Sequence, residues 1–261
     1  MQAQDLRAPQ HTSVFRHPLP RPAPFFFLVK LPRRKYTNRM KGVFCTKEVT
    51  EGIDGGATSV LARLERIMEG SPVFCMDQIH SDIIVRAEDL SPGQIPRADA
   101  IVSTNVENVL CVRTADCVPV LAWAEDRPVI AAIHAGWRGL ALRIVEKAVG
   151  VMRSLGARDI RAGIGPAIGP CCYEVKADVV EALGIEPVTG KDGATFVDLW
   201  EAAASQLRNA GLDAGAISVL RLCTSCHPER FNSFRRQGAL AGRNISVIGG
   251  KAWSLQGLQA G

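Results

Sequence analysis

Three observations predict that this chain folds as a single α/β domain. Apolar runs typical of buried strands alternate along the sequence with stripes of apolar residues at helical spacing. The hydrophobic content is 47%, which is ample for a packed core. Among the 261 residues, no stretch rich in Pro, Gly or Ser is long enough to separate two units, so the alternation favours one domain.

The strand predictions depend on short apolar runs that end at turn residues. The predicted strands are 99–103, 109–113, 118–123, 129–134, 160–164, 217–222 and 244–248. The clearest helix follows the motif GWRG, where an apolar stripe repeats at helical spacing and basic residues occupy the other face. The stripe consists of Leu140, Ile144, Val145, Ala148, Met152 and Leu155, and the basic residues are Arg143, Lys147 and Arg153. Two further helices are predicted at 176–183 and 198–210.

The N-terminal segment carries the positive charge of the chain. Residues 1–40 contain eight Lys or Arg and one acidic residue, whereas the remainder has a net charge of −2. The body therefore lacks a basic surface for nucleic acid, and we expect no nucleic-acid partner. The apolar patch 24–29 is too short to cross a membrane and has no small-residue cleavage site behind it, so we expect no membrane partner.

We assign no fold to residues 1–38 and predict that 39–261 form the single folded domain. The segment 1–38 is Arg-rich and acid-poor, as in an organelle transit peptide, but a disordered or spurious extension ahead of a start at Met40 explains it equally well. The following MKGVFCT would then begin the first strand.

The chain has eight cysteines and no secretion signal, so we expect reduced thiols and a cytoplasmic location. Residues 223–227 match the C-x-x-C-H haem-attachment pattern, but covalent haem requires export. We favour ordinary thiols there, with a second zinc site as the alternative. The loop GIGPAIGP fails the G-x-G-x-x-G dinucleotide pattern and is expected to shape a pocket rim. The residues expected to line that rim are Cys171, Cys172 and Tyr173.

The most informative segment is TADCVPVLAWAEDRPVIAAIHAGWRG, which places Cys117 and His134 at the ends of two predicted strands. A thiol and an imidazole at neighbouring strand ends can meet in one pocket. Two kinds of chemistry require a thiol close to an imidazole. Either Cys117 acts as a nucleophile with His134 as its base, or both residues bind a metal such as zinc or copper.

A third residue favours the metal. His80 lies in a predicted turn after the apolar run 73–76. Two histidines and one cysteine form a three-ligand set that leaves a position for water or substrate, as catalytic zinc sites require. The plainer interpretation is that these histidines satisfy backbone groups and that Cys117 is a small buried hydrophobic residue.

Several motifs resemble those of the YfiH/laccase-domain family, whose members are variously described as polyphenol oxidases, purine nucleoside phosphorylases with adenosine deaminase activity, and peptidoglycan editing factors. The motifs are QIHSD, RADAIVST, TADCVPVL, AAIHAGWRGL, GIGPAIGPCCYEV and RFNSFRRQG, and they cover residues 72–249 in one collinear order. The resemblance implies a layered sandwich of mixed β-sheets with outer helices. It also implies a metal bound by His80, Cys117 and His134.

The activity implied by the resemblance is zinc-dependent phosphorolysis of adenosine, inosine and S-methyl-5'-thioadenosine, with adenosine deamination beside it. Arg138 is a candidate for binding phosphate, with a surface salt bridge as the alternative. Trp137 could stack on the purine, although a core or lid position is the default role for such a residue. Asp116 and Asp99 could orient ligand histidines or simply cap a turn, and Asp116 is also a candidate for contacting the substrate. A basic cluster late in the chain could also bind phosphate, and it consists of Arg235, Arg236 and Arg243. The default interpretation of such a cluster is a solvent-exposed surface without a ligand. The early segment that the family places along the pocket rim is shortened here, which affects substrate choice more than metal binding.

Three rival functions remain open at the level of sequence. Weak copper-dependent phenol oxidation is one: the five histidines, two of which lie in the N-terminal segment, are too few for a conventional multicopper site, but a single bound copper could still give weak oxidase activity. Cleavage of an amide by Cys117 and His134, as in editing of a peptidoglycan precursor, needs no metal. A non-enzymatic protein that binds a nucleotide is the third. The sequence leaves the oligomeric state open.

Overall fold

A computed structural model describes residues 26–29, 41–45, 47, 56–68, 70–91, 93–190 and 192–250. Apolar segments of this part of the chain form strands, and amphipathic segments form helices around them. The strands are β1 Phe26–Val29, β2 Lys41–Cys45, β3 Val73–Phe74, β4 Ile84–Arg86, β5 Ala100–Ser103, β6 Val109–Thr114, β7 Val118–Ala124, β8 Ile130–Ala135, β9 Ile160–Ile164, β10 Val188–Thr189, β11 Thr195–Phe196, β12 Ile217–Val219 and β13 Asn244–Gly249. The helices are α1 Ala57–Ile67, α2 Trp137–Ala141, α3 Ile144–Ser154, α4 Ala177–Leu183, α5 Leu199–Asn209 and α6 Phe234–Gln237.

The described strands form two large mixed sheets and a short hairpin of β10 and β11. The first sheet has the order β1-β2-β13-β6-β3, in which only the β3–β6 pair is parallel. The second has the order β12-β9-β7-β8-β5-β4, with parallel pairs at its two edges and antiparallel pairs between them. The predicted layered sandwich of mixed sheets is confirmed.

The two sheets pack face to face, and helices cover their outer faces. Alternate residues of β6 show this: Leu110 joins the cluster between the sheets, whereas Cys111 joins the cluster under α1. Strand β7 behaves in the same way, because Leu121 faces the first sheet and Val120 faces the side covered by α3 and α5. Burial on both faces explains why these strands are apolar throughout.

The helix predicted after GWRG is in fact two helices, so the expectation of one continuous helix was wrong. The chain breaks at Arg143, which has a left-handed φ of 61°. The Gln206 side chain of α5 satisfies the freed backbone groups, since its amide donates to the Leu140 carbonyl and its carbonyl accepts from the Val145 amide. A tertiary contact therefore allows a break that the apolar stripe alone does not reveal.

The other sequence predictions match the described residues with small shifts. Helices α4 and α5 lie where they were expected, and β2 begins in MKGVFCT. Strand β12 is shorter than the predicted 217–222 because its partner β9 ends at Ile164.

The segment 1–38 was predicted to have no fold, yet four of its residues form β1, which pairs antiparallel with β2. Those four residues depart from the prediction. The rest of that segment lies outside the described residues, and the domain division itself stays a prediction. Among the described residues, every helix is too short or too polar to cross a lipid bilayer.

Substitution of Gly249 should destabilise the fold strongly. Its φ is +103°, and a Cβ atom there would lie 1.9 Å from the Asn108 carbonyl oxygen. We expect Gly249→Ala to lower the free energy of unfolding by about 3 kcal/mol or more, measured by urea denaturation. The control is Gly150→Ala in α3, which meets nothing within 4 Å and should stabilise by about 0.5–1 kcal/mol. Equal effects of the two substitutions would contradict this account.

Candidate active site

His80, Cys117 and His134 meet at one end of the second sheet. Cys117 directly precedes β7, and His134 lies near the end of β8. Because β7 and β8 are antiparallel neighbours, the start of one lies beside the end of the other, and His134 pairs with Pro119. His80 reaches the same point from the turn between β3 and β4. The three side chains that the sequence singled out are therefore brought together.

The three side chains form a compact donor group. Their ligand atoms all lie within 4.8 Å of one another. The Cys117 Sγ is 3.8 Å from the His80 Nε2, and the two imidazole rings meet edge to face with centroids 4.9 Å apart. Gly136 leaves space for this group, since a Cβ atom there would lie 3.0 Å from both the Cys117 Sγ and the His80 Cδ2.

A buried carboxylate, Asp99, fixes both histidines. Its Oδ1 accepts a hydrogen bond from the His134 Nδ1 at 2.8 Å and from the His80 amide at 3.0 Å. Its Oδ2 accepts from the amide and the hydroxyl of Ser81 at 2.6 and 2.7 Å. These bonds hold His80 in a left-handed conformation with φ 61°. They also leave the Nε2 atom of His134 facing the donor group, as in metal-binding histidines.

Charges within this group reinforce one another. Burial alone raises the pKa of the Cys117 thiol, but His134 and His80 outweigh it and lower that pKa to about 6. Burial alone lowers the pKa of His134, but Cys117 and Asp99 raise it to about 9. Both shifts favour a thiolate beside an imidazolium in the metal-free group. A thiolate is the form that acts either as a nucleophile or as a metal ligand.

The donor group lies in a cavity of about 600 Å³ at the end of the seam between the two sheets. The first sheet contributes Arg113 from β6 and Arg243 from just before β13. Arg138 and Arg235 add two more guanidinium groups. Arg138 stacks on the Trp137 ring at 4.4 Å, and Arg235 lies over the Tyr173 ring at 5.3 Å. The cavity is therefore positively charged and carries aromatic walls.

Asp116 lines the cavity but does not contact either histidine of the donor group. Its carboxylate accepts hydrogen bonds from the Thr224 hydroxyl at 2.6 Å and from the Arg235 amide at 2.6 Å. It therefore joins the segment before β7 to the loop after β12 and to α6. Asp99 alone performs the orienting role that the sequence suggested for both carboxylates.

Other cavity residues differ from the sequence predictions. Of the late basic cluster, Arg235 and Arg243 line the cavity, whereas Arg236 binds the backbone carbonyls of Thr224 and Ser225. Tyr173 lines the rim as expected. The residues that sequence reasoning missed are Asp77, Gln78, Arg113 and Phe234. Asp77 and Gln78 lie three and two residues before His80, and this proximity was their local signal, whereas Arg113 and Phe234 reach the cavity through contacts between segments distant in the chain.

Replacement of Asp99 by Asn should destabilise the protein in a pH-dependent way. Burial alone raises the pKa of the Asp99 carboxyl, but hydrogen bonds from His134 and Ser81 lower it from 3.8 to about 2. This shift corresponds to about 2–3 kcal/mol of stability, which is fully present above the unfolded pKa and is lost as pH falls through the folded value.

We therefore expect Asp99→Asn to cost about 3 kcal/mol at pH 6 in urea denaturation and progressively less below pH 4. The control is Asp126→Asn, because Asp126 accepts bonds from the Arg158 and Asp159 amides in a more exposed loop. Its cost should stay below about 1 kcal/mol. A pH-independent loss in the Asp99 variant would contradict the proposed role of its charge.

Comparisons with known proteins show the family of this chain. A family model described as multi-copper polyphenol oxidoreductase laccase matches residues 55–251. A Xylella fastidiosa protein named purine nucleoside phosphorylase is 39% identical over 172 residues, and the match covers 61% of this chain and 65% of that relative. The chain thus spans just under two thirds of that relative's length. The Geobacillus stearothermophilus protein named purine nucleoside phosphorylase YlmD is 30% identical over 239 residues, covering 82% of this chain and 87% of the relative.

Solved structures show the same fold. The crystal structure of the Bacillus licheniformis hypothetical protein YfiH superposes with a TM-score of 0.76 at 29% identity, covering 88% of this chain and 97% of that one. The structure of YlmD from Geobacillus stearothermophilus gives a TM-score of 0.76 at 27% identity, covering 87% and 96%. This chain therefore belongs to the laccase-like YfiH family.

Proposed function

We propose that this protein is a zinc-dependent purine nucleoside phosphorylase. The proposed substrates are phosphate with adenosine, inosine or S-methyl-5'-thioadenosine, and adenosine deamination accompanies phosphorolysis. One observation carries the proposal: a two-histidine, one-cysteine donor group lies in a cavity lined by four arginines. The names of the relatives give the reaction class.

The donor group fits a metal with an open position. His80, Cys117 and His134 supply two imidazole nitrogens and one thiolate, and Asp99 holds the Nδ1 of His134 so that its Nε2 remains for the ion. Zinc accepts this ligand set, and copper also can. When bound, zinc would supply a positive charge and lower the pKa of a water molecule near the substrate.

The arginines suit a phosphate co-substrate. Arg138 and Arg235 approach the cavity from α2 and α6, and Arg113 and Arg243 approach it from the first sheet. Burial and the neighbouring Arg113 lower the pKa of Arg243, as expected for cations gathered in one enclosed space. An anion such as phosphate would relieve that repulsion and accept charge-assisted hydrogen bonds.

Aromatic side chains suit a purine ring. Trp137 and Tyr173 line the cavity, and each lies beside an arginine. Burial, followed by repulsion from Cys117, raises the pKa of Tyr173 to about 12, so its hydroxyl stays protonated and can donate a hydrogen bond. A cavity of about 600 Å³ has the size of known small-molecule sites.

A cysteine-dependent amide hydrolase is the second candidate, because one observation favours it. Cys117, His134 and Asp99 form a chain of nucleophile, base and orienting carboxylate, and the pKa of Cys117 is lowered to about 6. Metal binding and nucleophilic attack compete for the same sulfur, so removal of the metal distinguishes the two functions.

Product analysis tests the proposal directly. We expect zinc-loaded protein to convert adenosine and phosphate into adenine and ribose 1-phosphate, with inosine as the deamination product, as measured by mass spectrometry. His80→Ala should lose both reactions because it removes a ligand. His227→Ala is the matched control and should retain them, since His227 lies outside the cavity beside Glu229.

Absence of turnover by the zinc-loaded protein would refute the phosphorylase. A chelator-treated protein that cleaves amide substrates, and that iodoacetamide inactivates, would establish the hydrolase instead.

Loss of Arg138 should weaken phosphate binding specifically. We expect Arg138→Ala to raise KM for phosphate by roughly 10- to 100-fold, because a charge-assisted hydrogen bond contributes about 1.5–3 kcal/mol. The KM for adenosine should change less. Arg66→Ala, on the exposed side of α1, is the control and should leave both values unchanged. An unaltered KM for phosphate in Arg138→Ala would exclude this arginine from the phosphate site.

A further inference from the structure

Four cysteine side chains outside the cavity converge on one point. Their sulfur atoms all lie within 4.8 Å of one another. Cys171 and Cys172 come from the turn after β9, and Cys223 and Cys226 come from the loop after β12. Nothing in the proposed phosphorolysis uses these thiols, and the distance in sequence between the two pairs makes their meeting a property of the fold.

We propose that Cys171, Cys172, Cys223 and Cys226 bind a second, structural zinc ion. In a tetrahedral site with zinc–sulfur bonds of about 2.3 Å, neighbouring sulfurs are about 3.8 Å apart. The Cys226 Sγ lies 3.4 Å from that of Cys172 and 3.5 Å from that of Cys171. Zinc would draw these atoms into a tetrahedron with only small movements.

The geometry of the second loop supports a metal. Cys223 and Cys226 have the C-x2-C spacing of zinc sites. The Gly169 amide donates a hydrogen bond to the Cys223 Sγ at 3.3 Å, which stabilises a thiolate. Backbone hydrogen bonds fix the two loops relative to each other: the Ala167 amide donates to the Leu222 carbonyl, and the Thr224 amide donates to the Ala167 carbonyl. The backbone that carries the four cysteines is therefore held in place by hydrogen bonds between the two loops.

The surroundings favour zinc over a disulfide. A disulfide would join Cys226 to one partner, yet two sulfurs lie equally close to it and no pair is bonded. Four thiolates around Zn²⁺ carry a net charge of −2. Two cations adjoin the cluster: the Arg235 guanidinium binds the Cys172 carbonyl, and the Arg236 guanidinium binds the Thr224 and Ser225 carbonyls. Their charge offsets that of the bound cluster.

Such a zinc ion would stabilise one wall of the cavity. Tyr173 directly follows Cys172, and Thr224, inside the C-x2-C loop, binds Asp116. The ion would tie both loops together with the segment that leads into Cys117. This inference does not depend on phosphorylase activity, because it concerns metal content alone.

Alkylation of the full-length protein tests the site without any substitution. Cys171 and Cys226 are exposed, so iodoacetamide can reach their sulfur atoms whenever no metal covers them. We expect peptide mass spectrometry to show both protected in the protein as isolated and both modified after treatment with a strong chelator. Rapid modification before chelation, or a disulfide between Cys226 and Cys171 or Cys172, would overturn the proposal.

Metal analysis separates the two sites. We expect about two zinc ions per chain in the wild type and about one in Cys226→Ser, with the remaining ion lost on further Cys117→Ser substitution. Cys75→Ala, a buried cysteine outside both groups, is the control and should keep both ions. If the zinc content falls in Cys226→Ser but does not change in Cys117→Ser alone, the result would support the four-cysteine site and refute metal binding at the active site. Unchanged zinc in Cys226→Ser would refute the proposal.

Discussion

The candidate active site depends on the hydrogen bonds that one buried carboxylate, that of Asp99, accepts. Within the described part of the chain it accepts hydrogen bonds from a histidine ring, from consecutive backbone amides and from a serine hydroxyl. These hydrogen bonds offset the free-energy cost of removing the carboxylate charge from water. They also force His80 into a left-handed turn and orient His134, so one charge sets the positions of two of the three donor side chains.

The layered sandwich makes this arrangement possible. Strand β8 lies between β5 and β7 and is antiparallel to both, so the starts of β5 and β7 lie beside the end of β8, and polar residues at those ends collect at one edge. Packing of the first sheet against the second then brings arginines to the same edge. The cavity is thus a product of two sheets and could not form on either alone.

The sequence predicts much of this arrangement but not all of it. One apolar run begins directly after Cys117 and another leads into His134, which indicated neighbouring strand ends, and the structure brings these side chains together. Local pattern could not show the break at Arg143, which depends on a glutamine from another helix. It also could not show that Arg113 reaches the cavity, nor that two pairs of cysteines converge, because both depend on contacts between segments distant in the chain.

We propose that His80, Cys117 and His134 together bind one metal ion. X-ray absorption spectroscopy at the zinc edge tests it most directly, using Cys226→Ser so that the second proposed site does not contribute. We expect a shell with two nitrogens at about 2.0 Å and one sulfur at about 2.3 Å, completed by a light atom. A shell made only of sulfur, a shell without sulfur, or the absence of bound zinc would contradict it.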